Sequence, residues 1–173
     1  MIKLEKFDRN DFSRLISWIP NDRFLLQWGG PRYTFPLDVK QLEDTLSMTY
    51  GKQPGHIVFK AIDGDTDNVV GHIELMKIDY SEKTAFIGRV LIGEPESRGK
   101  GKGFLMLKQL INFAFTDMNF DSLTLSVFDF NEAAVQCYKK LGFKQVEFLK
   151  NARKYRDEYW NLIRMRLYKT TWA

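Results

Sequence analysis

One stretch of the sequence, residues 84–115, constrains the fold more than any other because three patterns follow one another in it. An apolar strand pattern, Thr84–Ile92, leads into the glycine-dense segment Arg98–Gly103. Apolar residues then recur at helical spacing from Phe104 to Phe115. A strand, a glycine-rich turn and an amphipathic helix in this order predict a domain in which helices pack on a sheet.

The periodicity of the remaining chain predicts a mixed sheet around this unit. Further strands are expected at Ile2–Phe7, His56–Ile62, Val69–Ile78, Ser122–Phe128, Lys144–Phe148 and Trp160–Tyr168. Helices are expected from Phe12 to about Pro20, in a short stretch after Asn21, over Val39–Tyr50 and over Asn131–Leu141. Turn residues between successive strands in the middle of the chain indicate an antiparallel meander. We therefore expect an α+β domain with helices on the faces of its sheet, and 173 residues suit a single domain, residues 1–173.

The composition excludes several classes of protein. Cys137 is the only cysteine, so neither an internal disulfide nor a cysteine-based metal cluster can form, and we expect no metal. No apolar run is long enough to span a membrane, and the N-terminus lacks the apolar block of a signal peptide. A cytoplasmic protein is therefore predicted.

The charge is unevenly distributed along the chain. The net charge is +4, but the segment from Tyr138 to the end carries ten basic and three acidic residues. Such a basic end favours an anionic partner, although it is also typical of a solvated face. Binding of nucleic acid is one alternative, but Arg164, Arg166 and Lys169 lie in or beside a predicted strand rather than on a recognition helix, which argues against it.

The glycine-dense segment predicts an anion site. Free N–H groups and the positive end of a helix dipole converge at a helix N-terminus, and glycines let a phosphate approach the main chain. Arg98, Lys100 and Lys102 add positive charge there. The spacing matches neither a P-loop nor a dinucleotide fingerprint. The alternative is a flexible basic turn.

A second constellation follows the strand Ser122–Phe128. Asn131 stands between that strand and a helix, where it suits an N-cap and could also hydrogen-bond a ligand. Tyr138 lies on the inward face of this helix. An inward tyrosine usually packs in the core, but a phenol that faces a cleft can protonate a leaving thiolate because the two pKa values are close.

Together these residues resemble the GNAT superfamily of N-acetyltransferases. Arg98-x-x-Gly101-x-Gly103 is similar to the acyl-CoA motif of that family, and Val70–Leu75 resembles the strand that precedes it. Asn131, Tyr138 and the Leu141-Gly142-Phe143 close are similar to the segment that follows it. The likeness is greatest to the branch that contains ribosomal-protein alanine N-acetyltransferases and spermidine acetyltransferases.

The resemblance implies that acetyl-CoA is the acyl donor and that two parallel strands of the sheet splay apart to admit it. Main chain at Val90, Leu91 and Ile92 would pair with the pantetheine arm. The pyrophosphate would bind the loop and helix N-terminus, formed by Arg98, Gly99, Lys100, Gly101, Lys102, Gly103 and Phe104. Asn131 would hydrogen-bond the arm, and Tyr138 would act as general acid.

The resemblance also implies direct attack of a primary amine, of a small molecule or a protein N-terminus, on the thioester. Cys137 is then not expected to be a nucleophile. Glu74 is the best-placed general base, with a pKa raised by apolar neighbours, and His72 is a weaker candidate; either could instead be structural.

The acceptor side and the assembly are less constrained. By resemblance the acceptor site lies between residues 18–33 and the loop 150–160. The aromatic residues of the first segment could line that site or pack the helices; they are Trp18, Phe24, Trp28 and Tyr33. A homodimer is compatible with the sequence. The main alternative function is a sensor or scaffold that binds coenzyme A without catalysis.

Overall fold

A seven-stranded sheet forms the centre of the protein, whose computed structural model describes all 173 residues. The strands are β1 (Ile2–Lys6), β2 (Ile57–Asp63), β3 (Asn68–Asp79), β4 (Thr84–Ile92), β5 (Ser122–Phe128), β6 (Lys144–Tyr155) and β7 (Glu158–Tyr168). Their order across the sheet is β1-β2-β3-β4-β5-β7-β6. Only β4 and β5 run parallel, and the other neighbours are antiparallel, which confirms the expected mixed sheet and its central meander.

Five helices flank this sheet. They are α1 (Phe12–Ser17), α2 (Asp22–Gly29), α3 (Val39–Ser47), α4 (Lys102–Asn112) and α5 (Glu132–Lys140). Side-chain oxygens of Asn21 and Asp38 accept from backbone N–H groups at the starts of α2 and α3, which fixes where these helices begin. Gly142, at φ +95°, ends α5 in the left-handed conformation predicted for it. None of the helices is both long and apolar enough to cross a lipid bilayer.

Alternation along the strands gives the sheet two buried faces. Ile73 and Leu75 of β3 are fully buried in the larger core, together with the inward residues of α4 and α5. Val58 and Leu91 point to the other face and pack with the apolar residues of α1, α2 and α3. The domain is therefore three layers thick, with the sheet in the middle.

Two elements differ from the prediction. The helix α3 ends at Ser47 rather than Tyr50, because the hydroxyl groups of Ser47 and Thr49 donate to the carbonyls of Asp44 and Leu46 instead of leaving them to a further helical turn. The segment 150–160, expected as a loop, is the tip of a long β6–β7 hairpin. Its charged sequence lacks apolar alternation, and contacts with α2 support it instead.

Candidate active site

The strands β4 and β5 separate halfway along their length. They pair only from Thr84–Ile87 to Ser122–Leu125, and beyond that point no ladder joins them. A cavity of about 250 Å³ opens between the separated ends, lined by Ile87–Ile92 and Ser126–Phe128. The main chain of Val90, Leu91 and Ile92 therefore borders the cavity.

A bulge in β4 shapes one wall of this cavity. The β3–β4 register shifts between His72, which lies opposite Leu91, and Glu74, which lies opposite Gly88. Arg89 occupies the bulge with φ +50°, in the left-handed region that non-glycine residues rarely adopt. Such a conformation persists only where surrounding contacts hold it.

Those contacts come from a buried network around Glu74. Its carboxylate accepts hydrogen bonds from His56 Nε2 at 2.5 Å, His72 Nε2 at 2.7 Å and Arg89 Nη1 at 3.0 Å. The same Arg89 Nη1 donates to Tyr33 Oη at 2.9 Å, and Arg89 Nε donates to the carbonyl of Gly29 at 3.3 Å. Arg89 thus ties the bulge of β4 to the end of α2.

The expected raised pKa of Glu74 is wrong. Burial acts to raise it, but the charge of Arg89 and the hydrogen bonds from His56 and His72 outweigh burial and hold the pKa of Glu74 well below its usual range. The side chain is 1 % exposed and does not line the cavity. His72 and Glu74 lie on the same face of β3, where the partners of the Glu74 carboxylate are cationic and polar rather than apolar. Glu74 is consequently an ionised partner of Arg89 without free access to a substrate.

Tyr138 faces the cavity from α5. It is buried, lines the cavity, and packs edge-to-face on Phe143 at 6.1 Å. Burial, and to a smaller extent the nearby Cys137, raises the pKa of the Tyr138 hydroxyl well above its usual range. The hydroxyl makes no hydrogen bond within the chain, so a protonated phenol is free to serve a ligand.

Asn131 is placed for both of the roles that the sequence left open, because it caps a helix and also borders the cavity. Its Oδ1 accepts from Ala134 N at 3.3 Å, and the residue lines the cavity. The amide nitrogen Nδ2 has no partner in the chain. Asn131 can therefore cap α5 and donate to a ligand at the same time.

The loop before α4 has the geometry of an anion site. Gly99 and Gly101 have φ of +70° and +73°, and a Cβ on either would meet nothing within 4 Å. The backbone N–H groups of residues 99–104 donate to no group in the chain. Several unpaired donors and open space at the start of a helix suit a phosphate group.

The three cations of this loop do not all surround the anion site as expected. Arg98 donates to the carbonyls of Ile92 at 3.0 Å and Gly93 at 2.9 Å, which ties the loop to β4. Lys102 is paired with the buried carboxylate of Asp63. Only the exposed Lys100 makes no such contact.

A second cavity, of about 840 Å³, lies between the N-terminal turn of α4 and the outer face of α5. Lys100 borders it from the start of α4, and Gln136, Cys137 and Lys140 border it from α5. Burial raises the pKa of the Cys137 thiol, which opposes formation of the thiolate that a nucleophile would need. The contribution of Gln136 and Lys140 was not predicted, because their helical positions look like ordinary surface.

Some of the aromatic residues before α3 line the first cavity, and others pack against the helices and the sheet. Phe24 and Trp28 line the first cavity, and Trp28 Nε1 is buried without a hydrogen-bond partner. Tyr33 is buried, and the Arg89 guanidinium lies over its ring, 4.1 Å from the ring centroid. Trp18 packs beside Gly93 and donates to Glu94 at 3.2 Å.

The sequence reasoning missed Arg89, although a signal existed. A charged residue in the middle of the apolar strand Phe86–Ile92 requires a buried partner. His56 was missed as well, because its partner Glu74 is 18 residues away. No group of three or more His, Cys, Asp or Glu side chains is arranged to hold a metal ion.

A family model described as "Acetyltransferase (GNAT) domain" matches residues 4–163. Spermidine N(1)-acetyltransferase of Escherichia coli K12 is 26% identical over 169 residues, which cover 97% of this chain and 86% of that protein. The protein of the same name from Vibrio cholerae is 32% identical over 76 residues, covering 44% of this chain and 43% of that protein.

The fold is also that of solved structures. Spermidine N-acetyltransferase from Vibrio cholerae, in complex with CoA and spermine, superimposes with a TM-score of 0.82 at 23% identity, over 98% of this chain and 96% of that one. A spermidine/spermine N-acetyltransferase from the same organism, in complex with manganese ions, gives a TM-score of 0.78 at 22% identity, over 98% and 93% of the two chains. These likenesses confirm the acyl-CoA N-acyltransferase fold. Since the family model spans most of the chain, the protein belongs to the GNAT acetyltransferases and is related to the spermidine N-acetyltransferases.

Proposed function

We propose that residues 1–173 work as a single N-acetyltransferase domain that transfers the acetyl group of acetyl-CoA to a primary amine. The observation that carries the proposal is the cavity between β4 and β5, with the unpaired Tyr138 hydroxyl on its wall and the glycine-rich loop beyond its end. The resemblance to relatives that act on spermidine supports an amine acceptor.

The residues that would hold coenzyme A are those whose hydrogen-bond donors have no partner in the chain and that border open space. The N–H groups of residues 99–104 would take the pyrophosphate, and Lys100 and Lys140 would flank the phosphates at the second cavity. Main chain at Val90–Ile92 borders the first cavity where the arm would enter, and Asn131 Nδ2 would donate to it. The CoA complex of the Vibrio cholerae structure supports this use of the fold.

The proposed reaction is direct transfer. The amine nitrogen attacks the thioester carbonyl carbon, so that a C–N bond forms while the C–S bond breaks. The sulfur leaves as a thiolate, and the Tyr138 hydroxyl supplies its proton. The nitrogen loses a proton to solvent, from which Tyr138 is reprotonated.

Glu74 enters this mechanism as a positioning residue rather than a base. Through Arg89 it holds the bulge of β4 beside the cavity. The largely apolar cavity wall disfavours an ammonium group and thereby assists loss of the amine proton before attack. No cysteine nucleophile takes part.

The proposal is tested by acetyl-CoA turnover against polyamines, aminoglycosides, amino acids and N-terminal peptides.

Gly101→Leu would fill the phosphate space, so we expect CoA affinity, measured by calorimetry, to fall at least about 10-fold. Gly51→Leu is the control, because Gly51 also has a positive φ, +98°, but lies outside the loop. Equal CoA affinity in both variants would refute the cofactor site, and CoA binding without turnover of any amine would favour a sensor. The cytoplasmic location, the homodimer and the absence of a metal stay predictions.

A further inference from the structure

The tip of the β6–β7 hairpin lies against the first turn of α2, beside the cavity. Tyr155 Oη donates to Asp22 Oδ1 at 3.0 Å, and Arg23 Nη1 donates to Glu158 Oε2 at 2.8 Å. These two contacts join segments more than 130 residues apart in sequence. They build a surface that neither segment has alone.

Two arginines and three aromatic rings form the centre of this surface, the arginine–aromatic patch: Arg23, Phe130, Arg153, Tyr155 and Trp160. The Arg23 guanidinium lies 4.9 Å from the ring centroid of Trp160, 5.4 Å from that of Tyr155 and 6.0 Å from that of Phe130. Stacking of this kind holds a guanidinium in place and leaves its edge available to an oxygen ligand. Arg23 uses only Nη1 within the chain.

Arg153 supplies an unused donor on the same face. It lies directly opposite Trp160 in the β6–β7 register, and residues directly opposite each other share a face of the sheet. Its Nε is buried without a hydrogen-bond partner. Arg153 also has no carboxylate within ion-pair distance, and a buried donor without a partner is costly unless a ligand completes it.

Two of the carboxylates that border the patch, Asp22 and Glu158, already accept hydrogen bonds within the chain. Asp22 accepts from Tyr155 and, at 3.5 Å, from Arg156. Glu158 accepts from Arg23 and from Trp160 Nε1 at 2.9 Å. Each is therefore already paired with an arginine, which weakens its attraction for the ammonium groups of a polycation.

The arginine–aromatic patch is continuous with the wall of the cavity. Phe128, which lines the cavity, packs on Trp160 with ring centroids 5.0 Å apart and on Phe130 at 5.5 Å. Within the cavity the only charged lining residue is Arg89, and Trp28 Nε1 adds an unpaired donor. A molecule that reaches from the cavity to the patch therefore meets donors and cations, and the carboxylates beside it, Asp22, Asp129 and Glu158, already accept hydrogen bonds from the chain.

We propose that the acceptor is a primary amine that also carries a carboxylate, with the amine in the cavity and the carboxylate on Arg153 and Arg23. This inference rests on the proposed acetyltransferase function and names its substrate class. It separates the protein from its relatives that act on spermidine, which is a polycation without a carboxylate. Both a free amino acid and a peptide with an acidic second residue have the required chemistry.

Binding to the CoA-saturated protein tests the proposal without requiring turnover. Calorimetry compares two matched pairs, Ala-Glu-amide with Ala-Gln-amide and phenylalanine with phenylalanine amide, and adds spermidine. We expect the carboxylate member of at least one pair to bind about 10-fold or more tightly than its amide twin, and spermidine to bind more weakly. The pair with the larger ratio distinguishes a peptide from a free amino acid. Equal affinities within both pairs, or spermidine as the tightest ligand, would overturn the proposal.

Variants locate the preference on the patch. Arg153→Gln should reduce the acid-to-amide ratio to about one, and Arg153→Lys should restore part of it because the charge returns. Lys144→Gln removes an exposed positive charge from the same strand, outside the segment 150–160, and should leave the ratio unchanged. CoA affinity serves as the check of folding in each variant. An unchanged ratio in Arg153→Gln would show that the patch is not the carboxylate site.

The same measurements separate the two proposals. If CoA binds but no amine is acetylated, the proposed function fails, and the binding ratios still decide the present inference. If amines are acetylated without regard to a carboxylate, the enzyme stands and the carboxylate site does not.

Discussion

The Glu74 carboxylate and the Arg89 guanidinium meet at 3.0 Å inside the protein, each 5 % exposed or less. They lie on neighbouring strands, with Arg89 in the bulge of β4 and Glu74 on β3 opposite Gly88. Removing two charges from water is unfavourable, so such a pair persists only with further hydrogen bonds, which His56, His72, Tyr33 and the Gly29 carbonyl provide. The pair therefore links the cavity wall to the end of α2.

A double-mutant cycle measures this link. Glu74→Gln or Arg89→Met alone leaves one buried charge without its partner and should lower the free energy of unfolding by about 3–5 kcal/mol. The double variant should lose less than the sum of the two, because neither charge remains. Denaturant unfolding gives the three values. Additive losses would mean that the two side chains do not stabilise each other.

The depressed pKa of Glu74 predicts how stability depends on pH. A carboxyl whose folded pKa lies below its unfolded value of 4.5 contributes stability that is complete above 4.5 and is lost as the pH falls towards the folded pKa. The contribution of the Glu74 charge to the stability difference between the natural protein and Glu74→Gln should thus be fully present above about pH 4.5 and shrink below it. Urea unfolding at several pH values measures it. A difference that grows on acidification would contradict the ion pair.

Replacement of Tyr138 tests the general acid. Tyr138→Phe keeps the ring in the core but removes the hydroxyl, so turnover should fall about 100-fold while CoA affinity stays within about twofold. Steady-state kinetics and calorimetry give the two quantities. Unchanged turnover would remove Tyr138 from the mechanism.

The raised pKa of Tyr138 makes a separate prediction. Because the pKa of Tyr138 lies above the usual value of 10.0, the phenol stays protonated up to about pH 10. Deprotonation of Tyr138 should therefore cause no loss of turnover below that pH. A pH profile of the natural enzyme from about pH 7 to 10 checks the point. A falling limb in that range that disappears in Tyr138→Phe would contradict it.

A pair of glycines tests the contact between Trp18 and the end of β4. A Cβ at Gly93 would lie 1.8 Å from a Trp18 ring carbon, so Gly93→Ala should cost about 1–3 kcal/mol of unfolding free energy. Gly55 has nothing within 4 Å and an ordinary φ, and Gly55→Ala should be neutral or stabilising by up to about 1 kcal/mol. Thermal unfolding compares the two variants. Equal stability would place Trp18 elsewhere.

Most of the fold was predictable from local patterns. The strands β4 and β5 have the predicted bounds, Thr84–Ile92 and Ser122–Phe128, because side-chain alternation within a strand depends only on neighbours in sequence. The loop before α4 was predictable for the same reason, since glycines and a following helix specify it together. The hairpin tip was not, because its pairing depends on α2.

The sequence by itself determined the order of elements, the glycine-rich loop before α4 and the placement of Tyr138 and Asn131 after β5. Only the tertiary structure decided that Glu74 is the ionised partner of Arg89, that Lys102 pairs with Asp63, and that Arg23 meets Glu158. The physical reason is distance along the chain. Periodicity reports on residues a few positions apart, whereas the charge and the available donors of a buried side chain depend on partners 15 to 135 residues away.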